Sequence, residues 1–377
     1  VIRRWLTLIC GIALLAGLHA GAMGATTFPA PEAASFIVVN PDTGEMLAAA
    51  DPDQPLAMAS ITKIMTALLV LENADLDDRY TVPPEAIIGG SSANLQAGEE
   101  LSVRDLLTAL MVSSGNDASI TLAKGLSGSE EAFVELMNAK ARELGLDQTS
   151  FQNPHGFDAP GHRSTVRDIV ELSRVAMRDE LFRELVASRR AVIPGPGGVG
   201  ERSFESNNLL LDAYPEADGI KTGMTSEAGY TLVAHAERPS LGVELYVALI
   251  GASSSEGRAR DAESLLRWGF SQYARPMLVP PGTVVGRAPV QYRPGASVPY
   301  RVERGIRPPI RLGKPLTEEI VAPREIDGPV SAGDVLGSLT VRQGDRVVAR
   351  RNLVATESAA APGIIDRVNA GLRALIP

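Results

Sequence analysis

Ala59-Ser60-Ile61-Thr62-Lys63-Ile64-Met65-Thr66 is the stretch on which this chain turns. Ile61, Ile64, Met65, Leu68 and Leu69 recur at 3–4 spacing, which predicts a helix over 60–71 with one apolar face. Ser60 stands at its start and Lys63 three residues on, so hydroxyl and amine share a helix face within reach of each other. A hydroxyl at a helix start is ordinarily only an N-cap, and Ser-x-x-Lys is a common tetrad by chance. Here, however, a loop gives way to a strongly apolar helix, which would set both groups at the base of a cleft. A lysine in such a place can serve as base to the serine if its ammonium loses a proton near pH 7. Burial and a second cation both favour that loss.

Two further triplets supply the rest of such a site. Ser114-Gly115-Asn116 interrupts helical patterns predicted at 103–112 and 117–126. Its plain reading is a helix break with glycine left-handed. Its chemical reading has Ser114 relaying a proton between Lys63 and a leaving nitrogen, while Asn116 holds Lys63 and a substrate amide carbonyl. Lys221-Thr222-Gly223 follows Asp218-Gly219-Ile220. Its plain reading is a strand edge after a turn. Chemically, Lys221 is the second cation, Lys221 and Thr222 sit beside a substrate carboxylate, and Gly223 lets an acyl chain run close along an exposed edge. In that arrangement Lys63 is neutral and Lys221 stays charged. A developing oxyanion needs two backbone N–H groups, best supplied by Ser60 and Met224. Each triplet says little alone; in this order they describe a serine nucleophile activated by lysine and aimed at an acyl group beside a carboxylate.

The remaining pattern gives an α+β arrangement. A hairpin is predicted from 35–39 and 45–50 around Asn40-Pro41-Asp42-Thr43-Gly44, then a long helical insert with helices at 129–144, 164–177 and 181–186. Residues 151–161 read as a loop and 194–200 as a Gly/Pro-rich turn. Strands at 230–237 and 243–251 precede a closing helix at 256–270. The first and last helices of the segment can pack on an antiparallel sheet drawn from both its ends. After Tyr273 the composition changes, with Pro276, Pro280, Pro281 and Gly282 as a linker. Short strands at 297–303, 317–322 and 346–350 then suggest a small all-β domain over about 283–355.

The chain has 377 residues, 45% of them hydrophobic, enough to bury a large core in two or three domains. A formal charge of -9 without any basic and aromatic track excludes nucleic acid as a main partner. Arg3 and Arg4, an apolar run over 5–18 and Ala20-Gly21-Ala22 predict a cleaved export signal within 1–25. Fourteen helical residues reach ~21 Å, short of the ~30 Å of a bilayer core. Cys10 lies inside that signal and is the only cysteine, so the mature protein has no disulfide. His155, His162 and His235 form no ligand-like pattern, and no metal or organic cofactor is expected. At the C-terminus, 362–377 places Ile365, Val368, Leu372, Leu375 and Ile376 on one side and Asp366, Arg367, Asn369 and Arg373 mostly on the other. That is an amphipathic helix too short and polar to span, suited to the cytoplasmic membrane surface, with Arg367 and Arg373 facing anionic headgroups. Its plain alternative is a capping helix docked on the body.

These motifs resemble the penicillin-recognising serine enzymes, and the sequence around them is most similar to the D-alanyl-D-alanine carboxypeptidases. The likeness runs over 30–270. It includes Ala59 to Thr66, Ser114-Gly115-Asn116-Asp117-Ala118, Asn153-Pro154-His155-Gly156, Asp218 to Gly223, Ala228-Gly229-Tyr230 and Leu265-Leu266-Arg267-Trp268-Gly269-Phe270. Ser60 lies 54 residues before Ser114 and 161 before Lys221, spacings that fit the low-molecular-mass penicillin-binding proteins. The resemblance implies the transpeptidase-like α+β fold over 26–273, with a β-rich domain after it. It implies an acyl-enzyme on Ser60, Lys63 as general base, covalent inhibition by β-lactams, and release of the terminal D-alanine from a stem peptide ending in D-Ala-D-Ala. It also implies an arginine ahead of the last helix that points at the substrate carboxylate; counting back from Leu265 gives Arg258, with Arg260 close by. The protein would work in the periplasm, on the outer face of the cytoplasmic membrane, and a homodimer stays open. Met224 departs from members that carry histidine after Lys-Thr-Gly. An endopeptidase acting on cross-links is the rival reading. A class A β-lactamase is disfavoured because no Glu-x-x-x-Asn precedes the third motif, and an inactive peptidoglycan-binding protein because the catalytic set is intact.

Overall fold

The computed structural model describes residues 5–8 and 27–373. The chain divides into two compact units, one made of Thr26–Pro239 with Val243–Ser271, the other holding residues from 272 onward with Ser240–Gly242. Of the predicted export signal only residues 5–8 are described; the rest lies outside the described residues, as do 374–377 with Leu375 and Ile376.

In the larger unit a hairpin of β1 (Ser35–Asn40) and β2 (Glu45–Ala50) forms as expected. Asn40 Oδ1 accepts from the Thr43 N–H at 3.1 Å and Gly44 turns the chain at φ 68°. Three strands from the far end of the segment complete an antiparallel sheet: β3 (Ala217–Thr225), β4 (Gly229–Arg238) and β5 (Val243–Ala252). The order is β2-β1-β5-β4-β3, which leaves β3 on the edge. The closing helix α7 (Ser255–Ser271) covers one face so closely that a Cβ on Gly269 would lie 2.7 Å from Leu245 Cδ1.

The opposite face, with Ile37, Val39, Val233, Tyr246, Ala248 and Ile250, merges into the core of the helical insert. The insert holds α1 (Lys63–Asn73), α2 (Val103–Val112), α3 (Asn116–Ser127), α4 (Glu130–Glu143), α5 (Val166–Ala176) and α6 (Glu180–Ala187). The helix laid on the sheet here is α5; α1, expected against it, is packed instead among α2, α3, α4 and α5. That follows from its sequence, because every residue from Lys63 to Val70 is buried, not one face alone. Ile64, Met65, Leu68, Leu69 and Val70 each contribute about 1.5–3 kcal/mol by burial, which offsets the cost of taking Lys63 inside with them. Ser102 and Thr165 cap α2 and α5 by accepting from the N–H of Asp105 and Asp168.

The Gly/Pro stretch at 194–200 proves to be the loop of a hairpin, Arg190–Pro194 with Glu201–Glu205, that sequence reading missed. A buried ion pair fixes it: Arg202 Nη2 lies 3.0 and 3.1 Å from the Glu99 carboxylate oxygens.

The smaller unit is a six-stranded antiparallel sheet with its own core around Val298, Val302, Leu339, Val341 and Leu353. Its strands are β6 (Val284–Pro289), β7 (Ser297–Val302), β8 (Leu316–Pro323), β9 (Val335–Gln343) and β10 (Arg346–Ala355), with Trp5–Leu8 alongside β8. Sequence reading found β7, β8 and the first half of β10; β6 and β9 escaped it because glycine and arginine interrupt their alternation. Helix α8 (Ile364–Arg373) follows. No helix among the described residues is long and apolar enough to cross a membrane.

Candidate active site

Ser60 does not begin an α-helix; it lies in a 3-10 turn, Ala59–Thr62, that leads into α1. The turn is held from below: the Thr62 hydroxyl donates to the Ala59 carbonyl at 2.8 Å. His162 Nδ1 accepts from the Gln152 N–H at 3.0 Å, so its proton is on Nε2, which donates to Thr62 Oγ1 at 2.8 Å. Burial lowers the His162 pKa to about 4, which keeps this neutral tautomer in place.

Lys63 Nζ is wholly buried and has three oxygen neighbours: Ser60 Oγ at 2.9 Å, Asn116 Oδ1 at 2.8 Å and the His155 carbonyl at 2.6 Å. A neutral amine has two N–H groups and one lone pair. The Asn116 Oδ1 and the His155 carbonyl oxygen can only accept, so they take both protons of the neutral amine and leave its lone pair towards the serine hydroxyl. Burial, then the charge of Lys221, push the lysine pKa well below its ordinary value, against an opposing pull from Asp117.

The break between α2 and α3 places the second motif beside it. Ser114 holds a left-handed conformation at φ 62°, and Asn116 opens α3 with its Nδ2 donating to the Gly89 carbonyl at 3.0 Å. Asp117 secures the segment underneath, accepting from the N–H groups of Ala93 and Leu95 and from the Ser92 hydroxyl.

The third motif runs along the edge strand β3. Lys221 Nζ donates to Ser114 Oγ at 2.9 Å and to the Thr222 carbonyl at 3.0 Å. Burial, then Arg258, bring its pKa down to about 7. Lys221, expected to stay charged, is therefore balanced between two states near neutral pH, and a carboxylate beside it would favour the ammonium. A Cβ on Gly223 would stand 2.8 Å from the Ser60 nitrogen and 2.8 Å from Ala59 Cβ. The glycine thus lets β3 lie against the Ser60 turn; that close approach, more than room for an acyl chain, is the geometric demand. Met224 follows opposite Tyr230, its side chain exposed.

Arg258 is buried in α7, Nη1 donating to the Gly223 carbonyl at 2.8 Å and Nη2 to the Asn207 carbonyl at 3.2 Å, over the Tyr230 ring. Burial lowers its pKa to about 10, still leaving it charged. Arg260, the competing candidate, has a side chain 65% exposed and paired with Glu32.

Sequence reading placed a loop at 151–161 and matched its Asn153-Pro154-His155-Gly156 to the family, but gave it no part in the site. Asn153-Pro154-His155-Gly156 supplies the His155 carbonyl, while the Pro154 carbonyl accepts from Thr66 and Ser119 at 2.6 Å each. Gly156, at φ 96°, packs so tightly that a Cβ would lie 2.1 Å from the Ala59 carbonyl oxygen. The Pro-x-Gly pattern between two helices was the available signal. Asn208, whose buried Nδ2 has no hydrogen-bond partner among the described residues, lines a narrow cavity with Lys221 and Thr222. Among the described residues no cluster of His, Cys, Asp or Glu could hold a metal ion.

Residues 23–254 match the family model described as D-alanyl-D-alanine carboxypeptidase. The D-alanyl-D-alanine carboxypeptidase DacF of Bacillus subtilis is 32% identical over 89% of this chain and 88% of its own. DacD of Salmonella typhimurium is 31% identical over 90% of each. Among solved structures, penicillin binding protein 5 from Haemophilus influenzae superposes with a TM-score of 0.63 at 27% identity, covering 88% of this chain and 98% of that one. The chain belongs to the D-alanyl-D-alanine carboxypeptidase family, and is a serine-type enzyme of that activity on peptidoglycan.

Proposed function

We propose that Ser60 is the nucleophile, with the other site residues in the roles their positions suit. Ser60 Oγ attacks the carbonyl carbon of the penultimate D-alanine while its proton passes to the lone pair of Lys63. The oxyanion is held by the backbone N–H groups of Ser60 and Met224. Asn116 orients Lys63. Ser114, bonded to Lys221, carries a proton to the departing nitrogen, so that free D-alanine leaves and an ester on Ser60 remains. Water then cleaves the ester, returns the hydroxyl and releases the shortened stem peptide. Lys221, Thr222 and Arg258 receive the terminal carboxylate. A β-lactam enters by the same acylation and stays as the ester.

The observation that carries this reading is the wholly buried Nζ of Lys63, held by Asn116 Oδ1 and the His155 carbonyl and 2.9 Å from Ser60 Oγ. Ser60→Ala is expected to abolish both release of D-alanine and covalent labelling by a fluorescent penicillin. Labelling that persists in the variant refutes the assignment of the nucleophile.

Peptidoglycan lies outside the cytoplasmic membrane, and the catalytic domain is assigned to 26–273, preceded by an export signal over 1–25. The β domain over 283–355 serves as a stand, and 362–377 as an amphipathic membrane-surface helix. Ile364, Ile365, Val368 and Leu372 of α8 are 83%, 76%, 54% and 56% exposed among the described residues, an apolar face that supports this assignment. Asp366 and Arg367, on the other side, are tied to Arg293 and to the Tyr292 ring, so Arg367 turns to the ring and not to headgroups. Truncation after Thr356 is expected to move the protein from the membrane to the soluble periplasmic fraction; equal solubility of both forms refutes the anchor.

A further inference from the structure

Among the buried ionisable groups that the proposed mechanism leaves unused is a histidine of the central sheet. His235 on β4 sits between carboxylates of its two neighbouring strands: Nδ1 is 2.6 Å from Asp218 Oδ1 on β3, and Nε2 is 3.0 Å from Glu244 Oε2 on β5. Each ring nitrogen meets an oxygen that can only accept when ionised, so both nitrogens carry protons and the ring is an imidazolium. The carboxylates lie at opposite ends of the ring and cannot converge on one ion, which distinguishes the cluster from a metal site. The Tyr246 ring of β5 lies 4.7 Å away, tilted at 52°, and Arg174 of α5 and Arg178 just beyond its end are the cations that act on this cluster through Glu244 and Tyr246. Burial opposes the charge, but the hydrogen bonds and charges of Asp218 and Glu244 outweigh it and raise the pKa to about 9.

What the cluster restrains matters more than its charge. Asp218 precedes Lys221 by three residues on the edge strand, which has a neighbour on one side only. The β3–β4 ladder slips between Ala217 and Ile220, so Asp218 and Gly219 fall out of register where the strand enters the site. At Gly219 a Cβ would meet Val186 at 2.7 Å, which shows how closely this irregular segment is confined. We infer that His235, by gripping Asp218, is a positioning residue that fixes the entry of the edge strand and thereby aims Lys221 and Thr222 at the substrate carboxylate. The inference rests on the assignment of Lys221 and Thr222 to carboxylate binding.

His235→Gln in the full chain tests it, with a peptide ending in D-Ala-D-Ala as substrate. KM is expected to rise about tenfold while kcat stays within about twofold, the mark of lost carboxylate placement and not of lost chemistry. In the wild type, KM should also rise as pH passes through about 9, where the ring loses its charge; this step should be absent from His235→Gln. Glu244→Gln leaves a hydrogen-bond acceptor but removes a charge two strands away from Lys221, and should shift that step to lower pH. A folded His235→Gln enzyme with wild-type KM overturns the inference. Should that variant not fold, imidazole titration by NMR in the wild type decides: His235 protonated at pH 8 supports it, and a ring that titrates below pH 7 overturns it. A wild-type chain that neither takes penicillin on Ser60 nor cleaves the peptide refutes the site assignment itself, which is a distinct result.

Discussion

Replacing Gly156 by alanine would test whether the 151–161 loop, and not the helix alone, prepares the lysine. The new Cβ would stand 2.1 Å from the Ala59 carbonyl oxygen and 2.5 Å from its carbon, where ordinary contact begins near 3.4 Å. The loop and the Ser60 turn must therefore part by about 1.3 Å. A left-handed φ of 96° adds roughly 1–2 kcal/mol of backbone strain for any residue with a side chain. His155 is the adjacent residue, and its carbonyl bond to Lys63 starts at 2.6 Å; opened by the same distance it is no longer a hydrogen bond. Loss of that bond alone, at about 1 kcal/mol, would slow acylation about fivefold. Displacement of the nucleophile by ~1 Å is the larger effect, worth about a hundredfold. Acylation by a fluorescent penicillin should thus fall by about a hundredfold or more. Strain of this size lowers Tm by only a few degrees, about 2–4 °C per kcal/mol in a chain of this length. A folded Gly156→Ala protein that acylates within threefold of wild type would refute the argument that this loop sets the geometry of Lys63.

The two candidate arginines should separate cleanly. Arg258→Gln removes a buried cation from the carboxylate site and is expected to raise KM by about a hundredfold, on the scale of 2–5 kcal/mol for truncating a buried charge pair. Arg260→Gln, at the surface, should leave KM unchanged; equal effects would reverse the assignment. The pH response follows from Lys221, whose pKa is lowered to about 7: its ammonium is present below that value and lost as pH rises through it. In the Ser60→Ala protein, affinity for a peptide ending in D-Ala-D-Ala should accordingly weaken above pH 7, by up to about tenfold per unit. Isothermal titration at pH 6 and pH 8 measures this, and a pH-independent affinity contradicts it.

Much of the molecule was legible because its local patterns are strong. The 3–4 spacing at 103–112 and 129–144, and the turn at Asn40 to Gly44, gave elements that the structure reproduces within a residue or two. The order of Ser60, Lys63, Ser114, Asn116 and Lys221 was enough to name the chemistry, since few other reactions need a serine and two lysines in that setting. Other features were out of reach. Nothing in Asn153-Pro154-His155-Gly156 indicates that one carbonyl would find an amine 92 residues away. Arg258 and Arg260 look alike in sequence, and only the packing of α7 buries one and exposes the other. His235 is paired at both ring nitrogens because three strands bring Asp218 and Glu244 to it. Sequence by itself determined which groups are available and the periodicity that buries one face of each element, since both are set within a few residues. The tertiary structure decided which distant oxygen meets which proton, and so where the charges rest, because desolvation and hydrogen bonding depend on neighbours that no local pattern specifies.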